Sequence, residues 1–214
     1  MLKKMNLPNK LTMLRIILVP LFIICLSIPE SLFESLKIDN GTTILGWVAL
    51  VIFVIAALTD CLDGRISRSK GIVTKFGKIM DPLADKLLVS AGFIMLTGLG
   101  VVPAYVTAIV IFRDFFVNAL RMFGADNSKD LAAGLSGKVK TLFQMLAITL
   151  ALVSYIISPT VSIFAFVGDS LSMSTLELIV NVGMSIAVLA TLIATIWSFV
   201  DYFVRFKDDI DVEN

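Results

Sequence analysis

Asp60, Asp63, Asp81 and Asp85 are the residues whose type and spacing most plainly suit chemistry. They lie in the stretch Asp60-x2-Asp63-Gly64-x2-Ser67-Arg68-x8-Gly77-x3-Asp81-x3-Asp85, where one strongly apolar segment (43–59) ends and another (83–99) begins. Carboxylates at the edge of a membrane are costly to place and are usually kept for function. On a helix, residues three or four apart share a face, so Asp60 pairs with Asp63 and Asp81 with Asp85. Two such faces brought together make an all-oxygen cage for hard divalent cations. Four adjacent carboxylates need cations to neutralise them. Two magnesium or manganese ions about 3.5–4 Å apart would do so, and such a pair clamps a phosphate undergoing displacement.

The elements that must position these groups follow from composition. The chain has 214 residues, 57% of them hydrophobic, and a mean hydropathy of +0.94. Several windows hold about 17 or more nearly uncharged apolar residues, enough to cross about 30 Å of hydrocarbon. Six spans are expected, at 11–28, 43–62, 83–100, 103–123, 139–157 and 178–203. The fold class is therefore all-α integral membrane, a six-transmembrane-helix bundle. Residues 1–206 are read as one membrane domain and 207–214 as a polar tail, frayed at its end. The weakly apolar 159–174 is an external loop or a helix lying on the membrane.

Lys and Arg set the orientation. They gather at the N-terminus (Lys3, Lys4, Lys10, Arg15), between spans two and three (Arg65, Arg68, Lys70, Lys75, Lys78), between spans four and five (Arg121, Lys129, Lys138, Lys140) and at Arg205 and Lys207. The other side holds Lys37 alone, with Glu30, Glu34, Asp39, Asp169 and Glu177. Both termini and the aspartate stretch are expected on the cytoplasmic side. A formal net charge of +1 conceals this asymmetry. The first span reads as an uncleaved helix, since Arg15 interrupts its beginning and no Ala-x-Ala-like site follows. Cys25 and Cys61 are expected near opposite membrane edges, with Cys61 on the reducing cytoplasmic side, which argues against a disulfide between them. Histidine is absent, so a general base must be a carboxylate or, less readily, a lysine or tyrosine.

Each aspartate also has a structural reading. Asp81 before Pro82 has the form of a helix N-cap with proline at the first helical position. Asp60 or Asp63 alone could be a solvated residue at a helix end. The glycines and Arg68 add to the functional reading: Gly64 and Gly77 let a ligand approach the backbone, and Arg68 offers a planar guanidinium suited to phosphate.

A second region, 113–144, concentrates charge where little is expected. Arg113 and Asp114 fall inside an apolar span, where an unpaired charge is costly. Adjacent positions do not face each other, although a structural buried pair is one reading. Arg121 lies two turns beyond Arg113 on broadly the same face, and snorkelling to the membrane surface is its alternative role. Gly137-Lys138-x-Lys140-Thr141-x2-Gln144 then opens span five. A helix N-terminus attracts anions, so stacked cations there suit a phosphate; positive-inside anchoring is the other reading of both lysines.

The aspartate stretch resembles the signature of the CDP-alcohol phosphatidyltransferases, Asp-x2-Asp-Gly-x2-Ala-Arg-x8-Gly-x3-Asp-x3-Asp. Every spacing matches, and only Ser67 departs, where the family usually has alanine. The resemblance implies that an acceptor hydroxyl attacks the phosphate attached to diacylglycerol in CDP-diacylglycerol, and that CMP leaves. It further implies Asp60, Asp63 and Asp81 as metal ligands and Asp85 as both metal ligand and general base, with two divalent cations, Mg2+ or Mn2+. Gly64, Ser67, Arg68 and Gly77 map onto positions contacting the cytidine nucleotide.

Within that family the chain is similar to the branch whose acceptor is glycerol 3-phosphate. It shares the Gly-Lys-x-Lys-Thr-x2-Gln motif, the start Asn9-x2-Thr12-x2-Arg15 followed by Pro20, and the run 81–86. It departs at Asp114, where that branch commonly has glutamate. The expected partners are CDP-diacylglycerol, glycerol 3-phosphate, the lipid bilayer and, as is usual in the family, a second copy in a homodimer. Arg113, Arg121, Lys138 and Lys140 are the candidates to hold the acceptor's phosphate. The expected location is the cytoplasmic membrane of a bacterium. Inositol phosphate, serine or phosphatidylglycerol as acceptor, and an ion transporter with aspartate cation sites, are the competing readings; a transporter would release no CMP.

Overall fold

The computed structural model describes residues 7–38, 40–70, 75–126, 135–157 and 174–210; side chains are described outside 7–9, 60–83, 85, 121–126, 135 and 205–210. Among the described residues the chain is all helix, with no strand. The elements are α1 (Leu7–Ser27), α2 (Glu30–Leu36), α3 (Gly41–Lys70), α4 (Lys75–Gly98), α5 (Ala104–Asp126), α6 (Leu135–Ile157) and α7 (Thr175–Ile210). Within these helices, Lys10–Ser27, Gly41–Thr59, Ser136–Ile157 and Thr175–Val204 are long and apolar enough to cross a membrane. In α4 the apolar run is shorter, Lys86–Gly98, and α5 carries buried Arg113 and Asp114.

The helices pack as one bundle. α1 lies against α3 and α4, α6 against α3, α4 and α7, and α5 against α4 and α7. Phe22, Phe53, Phe93, Leu96, Ile148, Leu152 and Met184 fill the centre. The outward rows are apolar too: Ile17, Leu21 and Ile24 on α1, Ile44, Trp47, Val51 and Leu58 on α3, and Ile179, Ile186, Leu189, Ile193 and Trp197 on α7 are all exposed. A helix apolar on every side belongs in lipid, because water would demand a polar outer face.

Small residues set the helix separations, as they do where lipid offers no hydrophobic drive for association. A Cβ on Gly92 of α4 would sit 2.9 Å from Ile148 Cδ1 of α6, and one on Gly46 of α3 would sit 2.8 Å from Ile156 Cγ1. The α4–α5 turn depends on Gly100, which adopts φ +74°, so that Gly100 N–H reaches Thr97 O at 3.0 Å and Val101 N–H reaches Leu96 O at 2.9 Å. That bond pattern closes a helix C-terminus with a left-handed residue. Thr97 and Thr107 hydroxyls, 2.6 Å apart, tie the two helices just beyond it.

Three features differ from the sequence expectation. α2 is an unanticipated short helix, closed by Lys37 at φ 54° with its N–H directed to Glu34 O. α7 opens with a capping box: Ser174 N–H donates to Glu177 Oε2 at 2.7 Å, and Glu177 N–H donates to Ser174 Oγ at 3.3 Å. This Ser-x2-Glu signal is legible in sequence. The third corrects the N-cap reading of Asp81. α4 is already helical from Lys75, so Asp81 and Pro82 lie inside the helix rather than at its start.

Candidate functional site

Helix bounds place the aspartates on two successive elements. Asp60, Asp63, Gly64, Ser67 and Arg68 belong to the last part of α3, and Gly77, Asp81 and Asp85 to the first part of α4. Only residues 71–74 separate those helix ends. The side chains of these eight residues lie outside the described set. Among the described residues no three His, Cys, Asp or Glu side chains gather to hold a metal. Residues 159–173 and the side chain of Arg121 are likewise outside it.

The face of α1 turned to α3 and α4 carries an unexpected feature. Thr12 and Arg15, three residues apart and hence on one face, are both fully buried. Burying a guanidinium side chain is costly, and in membrane helices such groups mark functional pathways.

Part of the second region, Arg113, Asp114, Lys140 and Gln144, is brought together among the described residues. Asp114, 4% exposed, is its centre. Lys140 Nζ of α6 donates to Asp114 Oδ1, and Arg113 Nη1 donates to the same oxygen at 3.2 Å. Gln144 Nε2, one turn beyond Lys140, donates to Oδ2 at 3.4 Å. Lys86 Nζ of α4 lies 3.9 Å from Oδ2. One carboxylate thus gathers three cations and an amide from α4, α5 and α6. The charge-assisted bonds are the strong ones in such a set.

Arg113 is held from its other side by α7. Its Nη2 donates to Ser198 Oγ, and its guanidinium carbon lies 5.7 Å from the centre of the Tyr202 ring, within cation–π range. The hydrophobic packing explains why α5 and α7 meet here: Phe116 and Phe199 ring centres are 5.4 Å apart, and Phe112 and Phe199 are 6.3 Å apart. Ser136 Oγ of α6 donates to Asp201 Oδ2 of α7 at 2.6 Å and secures the same end of the bundle.

Arg113 and Asp114 do form a pair, although neighbouring positions diverge by about 100° around a helix. That divergence is used. Asp114 reaches the α4 and α6 partners, while Arg113 reaches α7 and folds one nitrogen back. Lys138 and Lys140 separate instead: Lys140 is fully buried and Lys138 is exposed. Two residues apart on a helix, they face different ways.

Ser198, Tyr202, Ser136 and Asp201 were not among the residues singled out from sequence, and Gln144 entered only as part of a motif. A signal for α7 existed. Thr191, Thr195, Ser198 and Tyr202 recur at four-three-four spacing in an apolar segment, and all four are buried.

Comparison with known proteins supplies an independent line. Residues 5–197 match the CDP-alcohol phosphatidyltransferase family. A CDP-diacylglycerol–glycerol-3-phosphate 3-phosphatidyltransferase of Bacillus subtilis (strain 168) is 40% identical over 144 residues, 67% of this chain and 75% of that protein. Proteins of the same name from Rickettsia felis and Wigglesworthia glossinidia brevipalpis are 37% identical over 145 residues and 35% over 152. Each covers 68% of this chain, with 74% and 75% of those proteins aligned.

Proposed function

The chain belongs to the CDP-alcohol phosphatidyltransferase family, and we propose that it transfers the phosphatidyl group of CDP-diacylglycerol to glycerol 3-phosphate, giving phosphatidylglycerophosphate and CMP. The observation that carries this reading is the reach of α4. That helix bears Asp81 and Asp85 and, at the very next position, Lys86, whose ammonium lies 3.9 Å from Asp114 in the cation cluster. α4 therefore carries both the backbone of Asp81 and Asp85 and one cation of the cluster, Lys86.

In this mechanism Arg113 and Lys140, with Arg121, hold the acceptor's phosphate, and exposed Lys138 meets it at the rim. Asp85 takes the proton of the attacking hydroxyl. A bond forms from that oxygen to the phosphorus bearing diacylglycerol, and the bond from that phosphorus to the CMP oxygen breaks. Gly64, Ser67, Arg68 and Gly77 seat the cytidine nucleotide, with the two glycines admitting it close to the backbone. Asp60, Asp63, Asp81 and Asp85 are an all-oxygen donor set fitted to Mg2+ or Mn2+. When bound, such ions neutralise the pyrophosphate and stabilise the leaving CMP.

The topology proposed with it has six spans and both termini on the cytoplasmic side, with the site at that face; Lys/Arg asymmetry supports this. The lipid tails enter from the bilayer while the nucleotide and acceptor come from water. The family resemblance supports a homodimer, and the polar residues 207–214 are a tail to the membrane domain of 1–206.

The test is CMP release from CDP-diacylglycerol by detergent-purified protein with magnesium or manganese, adding one acceptor at a time. Release only with glycerol 3-phosphate, lost in Asp85→Asn, is the expected result. Release only with inositol phosphate or serine would keep the reaction and overturn the acceptor. No release with any acceptor from folded protein would overturn the proposal.

A further inference from the structure

Asp114 stands at the middle of the proposed acceptor pocket but cannot itself be a ligand for phosphate, because like charges repel at contact distance. Its geometry gives it different work. It accepts from Lys140 of α6, from Arg113 of α5 at 3.2 Å and from Gln144 of α6 at 3.4 Å, and Lys86 of α4 approaches to 3.9 Å. Through Arg113 the set continues to the Ser198 hydroxyl and the Tyr202 ring of α7. One carboxylate and one hydroxyl thereby fix the two buried cations against four helices. A buried ionic cluster is a poor device for stability alone, since apolar residues of similar size often serve as well or better.

We infer that Asp114 is a positioning residue for the phosphate of the acceptor, and that Ser198 supports it from the opposite side of Arg113. Asp114 Oδ1 draws Lys140 Nζ and Arg113 Nη1 together, so that a phosphate monoester meets cations already gathered and loses little freedom in ordering them. The inference rests on the reading of Arg113 and Lys140 as acceptor ligands. It adds that binding of the acceptor, and not of the lipid nucleotide, depends on a residue that touches neither.

The experiment compares wild type, Asp114→Asn, Asp114→Glu and Ser198→Ala in the CMP-release assay, with the acceptor and CDP-diacylglycerol varied in turn. Asp114→Asn is expected to raise KM for glycerol 3-phosphate about tenfold or more while KM for CDP-diacylglycerol stays within about twofold, as loss of acceptor binding requires. Asp114→Glu is expected to restore most of the affinity, since it keeps the charge. Ser198→Ala, which leaves the ionic set in place, is expected to shift the acceptor KM in the same direction by about threefold, the size of one modest hydrogen bond. If wild type works with glycerol 3-phosphate and both Asp114→Asn and Ser198→Ala lower only thermal stability, with both KM values unchanged, the positioning role is overturned and the proposed function stands. If wild type does not use glycerol 3-phosphate, both fall together.

Discussion

Lys138 and Lys140 offer the sharpest comparison, because the same residue type occurs twice within three positions and only one copy is buried. Lys140 is fully buried and bonded to Asp114; Lys138 is exposed. Replacing Lys140 with methionine removes one charge-assisted hydrogen bond to the acceptor's phosphate, worth about 1.5–3 kcal/mol where it is desolvated. At about 1.4 kcal/mol per tenfold, KM for glycerol 3-phosphate should rise about 10- to 150-fold. Asp114 keeps Arg113 at 3.2 Å and Gln144 at 3.4 Å in that variant, so the carboxylate is not abandoned and the protein should still fold. Lys138→Met removes a solvated cation, and its effect should be about fivefold or less, the ceiling for an exposed pair. The assay is steady-state CMP release at saturating CDP-diacylglycerol with glycerol 3-phosphate varied. Equal shifts for the two variants, or an unchanged KM in Lys140→Met, would refute the assignment of the buried cluster to the acceptor.

Other expectations concern the carboxylates and the packing. Asp81→Asn and Asp85→Asn should each lower CMP release by about 100-fold or more, the scale for a lost general base or metal ligand, and a chelator should abolish wild-type release until Mg2+ or Mn2+ is returned. Gly92→Val should destabilise the bundle by about 1–3 kcal/mol through overpacking against Ile148, and Ile148→Ala in the same chain should recover part of the loss in a thermal-unfolding series. Ser174→Ala should cost about 0.5–2 kcal/mol through loss of the α7 cap, read as faster local hydrogen exchange at the start of that helix.

Much of the fold is legible in the chain because lipid imposes a simple rule: backbone polar groups must be satisfied within each spanning segment, so long apolar runs become helices. The start of α7 was within reach as well, since Ser174-x2-Glu177 is a local signal. The extra turns of α3 and α4 were not. Both helices continue past their apolar runs, to Lys70 and back to Lys75, into sequence rich in charge and glycine. Periodicity of apolar residues cannot register a helix whose end is polar on most sides. For the same reason Asp81-Pro82 reads as a helix start, although six helical residues precede it.

The chemistry divides along a similar line. Sequence alone determined the residue types and spacings at Asp60, Asp63, Asp81 and Asp85, because the helical period converts separations of three and four into shared faces. It also showed that Arg113 and Asp114 needed partners, because charges in an apolar span are costly. Only the tertiary structure decided who those partners are. Lys86, Asp114, Lys140 and Ser198 come from four helices, and their meeting depends on the glycine contacts and aromatic packing that set how closely those helices lie. It also decided between the two lysines. Burial is a property of the packed bundle, and two residues of one type two positions apart differ in it only once a neighbouring helix covers one of them.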